Sequence, residues 1–169
     1  MHAPGDDELQ RQAERLGASL RDAKQMLVTA ESCTGGWIAK AVTDVAGSSD
    51  WFDCGLAAYS YEAKQRLLGV RAETLEHFGA VSRETVLEMV SGALVHSGST
   101  IAVAVTGIAG PGGGTDAKPV GTVAIAIDTP VGALVRTRRM LGGRDLIRAM
   151  AVHASLDLLR RLLTGRQVP

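Results

Sequence analysis

The chain has 169 residues, 46% of them apolar, and its 18 Lys and Arg are balanced by 18 Asp and Glu. That length suits one domain with a sizeable core, and the zero net charge argues against a global basic field for nucleic acid or an anionic membrane. Two cysteines, Cys33 and Cys54, are too few for a zinc framework, no apolar run approaches the roughly 18 residues of a membrane span, and the N-terminus MHAPGDDELQ has no signal core, so a cytoplasmic protein is expected.

Residues 1–5 read as a frayed tail. Asp6 and Asp7 can cap and charge a first helix whose Leu9, Ala13, Leu16 and Leu20 recur at helical spacing. Met26 to Ala30 reads as a strand, and the Gly35–Gly36 pair opens a helix carrying Trp37, Ile38, Ala41 and Val42. A second strand is predicted over Cys54 to Tyr59, then a helix capped by Ser60 that holds Ala63, Leu67 and Leu68. A short helix over Glu73 to Phe78 and a longer one capped by Ser82 follow. Ile101 to Val105 is uniformly apolar, as in a strand covered on both faces. Thr122–Ile127 and Ala133–Met140, joined at Gly132, read as a hairpin, and a last helix spans about Arg144 to Leu163. Strands alternating with helices, plus one hairpin, predict a three-layer α/β/α sandwich with a mixed, mostly parallel sheet of about five strands.

Open α/β sheets collect ligands where the strands end. The predicted strand ends gather AESCTGG (30–36), YSYEAK (59–64) and the glycine-rich VTGIAGPGGGTDAKPVG (105–121) around one crevice. Ser32 sits where a strand turns into a helix, beside free amides around Thr34 to Gly36 that can hold an oxyanion. Its plainer reading is an ordinary N-cap. Lys64, one turn after a strand end, projects towards the same crevice as a base for Ser32, provided burial or a positive neighbour lowers a pKa that is ordinarily about 10.4. A solvated helix lysine is the commoner fate.

Cys33 is the rival nucleophile, but no histidine lies in these loops to serve it, and a small packed residue is the simpler reading. A Cys33–Cys54 disulfide is left open, although so few cysteines fit a reducing compartment better. Tyr59 either bonds Ser32 or Lys64 or is a satisfied core tyrosine. Thr106 is placed to hydrogen-bond the lysine. Glycine amides in the 105–121 loop suit an anion, with Lys118 as a point charge, although glycines also serve plain turns. The arginines crowding the last third, Arg136 to Arg166, are solvated faces or, for one or two of them, a clamp on an anionic group.

AESCTGG, GSSDWF, YSYEAK, GAVS and VTGIAGPGGGTDAKPVGTV, in this order, closely resemble the CinA C-terminal domain family from about Leu9 to Leu163. The resemblance implies hydrolysis of nicotinamide mononucleotide to nicotinate mononucleotide and ammonia, with Ser32 as nucleophile and Lys64 as base; Tyr59, from the reading of the residues above, is counted with them as a catalytic candidate. It implies substrate contacts from Thr34, Gly35, Gly36, Thr106, Gly107, Gly110, Gly112, Gly113 and Arg144. It implies no metal and no cofactor, no nucleic-acid or membrane partner, and a homo-oligomer, foremost a dimer. Arg144 is the candidate phosphate partner, with a place across a subunit interface left open. Tyr61 stands where many relatives have Asn, which bears on the helix start beside Lys64 and on pocket width. The molybdopterin-binding-like domain of longer relatives is not expected here. Two alternatives remain: a catalytically silent binding or interaction module of the same fold, and a cysteine hydrolase using Cys33.

Overall fold

A computed structural model describes residues 2–168. The elements are α1 (Asp6–Asp22), β1 (Leu27–Glu31), α2 (Trp37–Thr43), β2 (Phe52–Ala57), α3 (Tyr61–Leu68), α4 (Ala72–Phe78), α5 (Arg83–Val95), β3 (Ile101–Gly107), β4 (Thr122–Thr129), β5 (Gly132–Arg139) and α6 (Arg144–Leu163), with a 3-10 turn at Ser48–Asp50. The five strands form one sheet in the order β2-β1-β3-β4-β5. β1 pairs in parallel with β2 and β3, whereas β3–β4 and β4–β5 are antiparallel, so four of the five strands point the same way. The predicted mixed α/β/α architecture is the one observed.

The alternation inside the apolar strands sets the two faces of the sheet. Leu27, Ile101, Val103, Val105, Val123, Ile125 and Ile127 project to one side, where Leu9, Leu16 and Leu20 of α1, Ile38 of α2 and Val152 and Leu156 of α6 cover them. Ala30, Ala102, Ala104, Ala124 and Ala126 project to the other and make a shallow face. Val86, Met89 and Val90 of α5 pack on it, flanked by Leu68 of α3 and Leu75 of α4. Close approach continues between helices. A Cβ on Gly92 of α5 would stand 1.7 Å from the Leu68 carbonyl oxygen, a backbone atom that cannot swing aside. Gly92→Ala is therefore expected to destabilise the fold by about 1–3 kcal/mol or more, read as a lower urea midpoint, while the outward Ser91→Ala leaves it unchanged.

Several boundaries differ from expectation, for physical reasons. Of the tail expected to fray, Met1 lies outside the described residues, and Pro4 is buried. Gly5 is the N-cap of α1, so Asp6 and Asp7 charge its first turn rather than cap it. β2 begins and ends two residues earlier than expected, because the chain bends away after Ala57 and turns the Ala58 and Tyr59 carbonyls towards Lys64. β3 runs on through Thr106 and Gly107, which pair with Ala124 and Val123. Ser60 and Ser82 cap their helices as expected, each hydroxyl accepting from the amide three residues on.

Candidate active site

Ser32 is the first residue beyond β1, and its amide donates to the Val105 carbonyl at 3.0 Å, which anchors it between the ends of β1 and β3. The next four residues turn sharply into α2, with Gly35 at φ +60° and Gly36 at φ +94°, a left-handed pair that side chains resist. The turn is held from inside by Glu31, the last residue of β1, which is fully buried. Its carboxylate accepts from the Thr34 hydroxyl at 2.6 Å and from the Ile38 and Ala39 amides at 2.8 and 3.0 Å. The negative charge is thus spent on the start of α2. The Gly35 amide bonds the Ser32 carbonyl, and the Trp37 amide bonds that of Thr34. Of the amides around Thr34 to Gly36, those of Thr34 and Gly36 have no partner among the described residues.

Lys64 comes from the opposite side. It lies in the first turn of α3 and is 1% exposed. Its Nζ is 2.9 Å from Ser32 Oγ, 3.0 Å from the Ala58 carbonyl and 2.9 Å from the Tyr59 carbonyl. None of these acceptors carries a charge, so burial acts on the ammonium without a carboxylate to offset it. Burial accordingly lowers the Lys64 pKa from its ordinary value, and the nearby Cys33 works in the other direction. The geometry suits both protonation states. As an ammonium, Nζ donates to all three oxygens. As a neutral amine it keeps two N–H bonds to the carbonyls and turns its lone pair to the Ser32 hydroxyl.

Cys33 behaves oppositely. It is 5% exposed within the core, and burial first of all pushes its thiol pKa up to about 11. That places it as a packed residue and disfavours a thiolate. Both cysteines are free, so no disulfide joins them.

The remaining expected residues are placed unevenly. Tyr59 is 62% exposed, not a core tyrosine; its carbonyl serves Lys64, and its hydroxyl accepts from Arg144 at 3.2 Å. Arg144, the first residue of α6, also donates to the Gly110 carbonyl at 2.7 Å, so it bridges Tyr59 and the glycine-rich loop. Thr106 does not reach the lysine: its hydroxyl donates to the Ala80 carbonyl at 2.8 Å. Lys118 donates to the Phe78 carbonyl at the end of α4. Gly107 is required by close packing, since a Cβ there would meet Val123 at 2.8 Å and Cys33 Sγ at 3.0 Å. Gly110 is buried beside a cis bond to Pro111, whereas Gly112 and Gly113 lie exposed further out. Tyr61 is 48% exposed and leaves the capped start of α3 intact.

Two residues escape a reading of the motifs. Glu31 carries a signal, as a carboxylate ending a buried strand just before a helix start. Arg148 stands four residues after Arg144 and so shares its helix face. Its Nε donates to the Cys33 carbonyl at 3.0 Å, its Nη2 to the Thr34 carbonyl at 3.3 Å, and its guanidinium lies 5.5 Å from the centre of the Trp37 ring.

The profile of the CinA C-terminal domain matches residues 9–163. The chain belongs to the CinA C-terminal domain family. A protein named nicotinamide-nucleotide amidohydrolase PncC, from Escherichia coli (strain K12), is 47% identical over 155 residues, which are 91% of this chain and 94% of that protein. A CinA-like protein from Geobacter sulfurreducens is 49% identical over 161 residues, 95% of this chain but 38% of its own length. The crystal structure of the competence/damage inducible protein CihA from Agrobacterium tumefaciens superposes with a TM-score of 0.89 at 46% identity, covering 97% of this chain and 99% of that one. The match thus spans nearly the whole of the Escherichia coli relative and about two fifths of the Geobacter one. Among its described residues no helix is long and apolar enough to cross a membrane.

Proposed function

We propose that this CinA-family chain is an amidohydrolase that converts nicotinamide mononucleotide and water into nicotinate mononucleotide and ammonia. The observation that carries the reading is the 2.9 Å contact between Ser32 Oγ and a lysine Nζ that is 1% exposed and has only neutral partners. The name and close similarity of the Escherichia coli relative support the substrate.

In the neutral form, Lys64 Nζ takes the Ser32 hydroxyl proton as Oγ attacks the carboxamide carbon. The oxyanion that forms is met by the amides left over at Thr34 and Gly36. Lys64 returns the proton to the amide nitrogen, the C–N bond breaks, and ammonia leaves. Nicotinate mononucleotide is then esterified to Ser32. Water attacks this ester, Lys64 accepts the water's proton and hands it to Ser32 Oγ, and the acid departs. The two carbonyls of Ala58 and Tyr59 hold Nζ on line throughout.

Arg144 is the phosphate partner in this reading, with Gly107, Gly110, Gly112 and Gly113 of the adjoining loop lining the ribose phosphate. Arg144→Ala is expected to raise KM about 10- to 100-fold while kcat changes little, and steady-state kinetics separates the two. We take the enzyme to be cytoplasmic and a homo-oligomer, foremost a dimer, and sedimentation of the purified protein tests the oligomer.

The deciding assay is ammonia release from nicotinamide mononucleotide by the purified protein in chelator, beside binding of the nucleotide by calorimetry. Turnover establishes the amidohydrolase. Binding without turnover refutes it in favour of a silent module.

A further inference from the structure

The nucleophile loop is gripped from both faces of the sheet, and only one grip belongs to the proposed chemistry. Lys64 holds Ser32 Oγ from the side of α3 and α5. Arg148, on α6, reaches the loop from the side of α1, α2 and α6. It takes the carbonyls of Cys33 and Thr34, the two residues that follow Ser32, with two different nitrogens. Trp37 beneath the guanidinium fixes its plane.

This grip decides which way the loop faces. The Cys33 carbonyl and the Thr34 amide belong to one planar peptide unit, and it is trans, since the one cis bond among the described residues is Gly110–Pro111. A carbonyl drawn towards Arg148 therefore points the Thr34 N–H away from α6. That N–H is one of the donors without a partner, in a residue that is fully buried. A buried unpaired donor is costly. The cost persists here because Arg148 holds the Cys33 and Thr34 carbonyls while Glu31 holds the Thr34 hydroxyl.

We infer that Arg148 is a positioning residue for the reaction: it orients the Cys33–Thr34 peptide, and so the Thr34 N–H that faces the oxyanion formed at Ser32, without touching substrate. The inference rests on the amidohydrolase reading for its turnover test, but its geometry concerns the nucleophile loop alone. A cavity of about 380 Å³ lined by Thr34, Gly35, Gly36, Trp37 and Arg148, with Asp6 and Lys40 at its edge, opens beside the loop. It gives a small cation access to the place that a truncated Arg148 vacates.

Two readouts test this. In Arg148→Ala, kcat for ammonia release is expected to fall about 10²-fold with KM within threefold, and added guanidinium chloride at millimolar concentration restores part of kcat. Arg148→Lys, which cannot bond both carbonyls in one plane, falls between Ala and wild type. Circular dichroism and thermal unfolding establish that the variants are folded. Separately, the rate at which a small fluorophosphonate labels Ser32, followed by mass spectrometry, is expected to fall in parallel. This second rate does not depend on the natural substrate.

If the wild type is labelled but does not release ammonia, the substrate reading fails while slower labelling of Arg148→Ala still upholds the inference. Labelling of Arg148→Ala at the wild-type rate overturns it. So does a variant whose KM rises while kcat is kept, because Arg148 would then be a substrate contact. A wild type that neither turns over nor labels at Ser32 overturns both readings.

Discussion

Lys64→Met is expected to lower kcat by about 10³- to 10⁴-fold, the contribution of a positioned general base together with the acid that protonates the leaving group. Met fills a similar volume but offers no lone pair to the Ser32 hydroxyl and no proton to the departing nitrogen. The wild-type pH dependence follows from the direction of the Lys64 shift. Only the neutral amine is a base, so kcat/KM rises as pH rises through a Lys64 pKa that burial has lowered from its ordinary value, and then levels off. In Lys64→Met this rising limb is absent from the residual rate. A rising limb that survives the substitution belongs to another group.

The same shift makes a stability prediction of definite sign. A lysine whose pKa is lowered on folding carries fewer protons in the native chain than in the unfolded one, between the lowered value and the ordinary one. Stability rises with pH wherever the unfolded state binds more protons. The wild type should therefore gain stability relative to Lys64→Met as pH increases through that window. Below it the difference is constant, with the buried ammonium at its most costly. The Met variant also leaves the Ala58 and Tyr59 carbonyls without their donor. The trend with pH, not the difference at a single pH, is thus the diagnostic quantity, and urea unfolding at a series of pH values measures it.

Ser32→Ala has the largest expected effect on activity, a loss of about 10⁴- to 10⁶-fold in kcat. It removes the oxygen that forms the acyl bond, and nothing adjacent replaces it. Cys33 is next in the chain, but its thiol is buried and pushed up to about 11. Cys33→Ala is accordingly expected to keep most of the activity and to lose some stability through the small void beside Gly107 and the core. The pair of substitutions separates the serine and cysteine alternatives. Ser32→Ala and Lys64→Met together should be little worse than either alone, since the two side chains act as one unit.

The parts of the molecule written in local pattern were legible in the sequence. The apolar runs of β1, β3 and β4, the serine caps of α3 and α5, and the whole of α6 depend on neighbours a few residues away. The meeting of Ser32 and Lys64, 32 residues apart, was legible for a different reason: parallel strands oblige their carboxyl ends to share an edge. What could not be read depends on partners far along the chain. Thr106 turns to Ala80, Lys118 to Phe78 and Arg148 to a loop 115 residues away, and no local spacing encodes these choices. Tyr59 shows the limit differently. Its place beside the lysine was predictable, but its backbone carbonyl, rather than its phenol, makes the contact. Glu31 lies within the nucleophile motif, yet its part is structural, its carboxylate engaged with Thr34, Ile38 and Ala39 at the start of α2.

The central claim is a covalent bond between Ser32 and the nicotinate group, and acid quenching during turnover of nicotinamide mononucleotide, followed by tandem mass spectrometry, tests it most directly. The account predicts the nicotinate mononucleotide acyl mass on Ser32 in the wild type, and no adduct in Ser32→Ala. The same mass on Cys33, or undiminished ammonia release from Ser32→Ala, would contradict it.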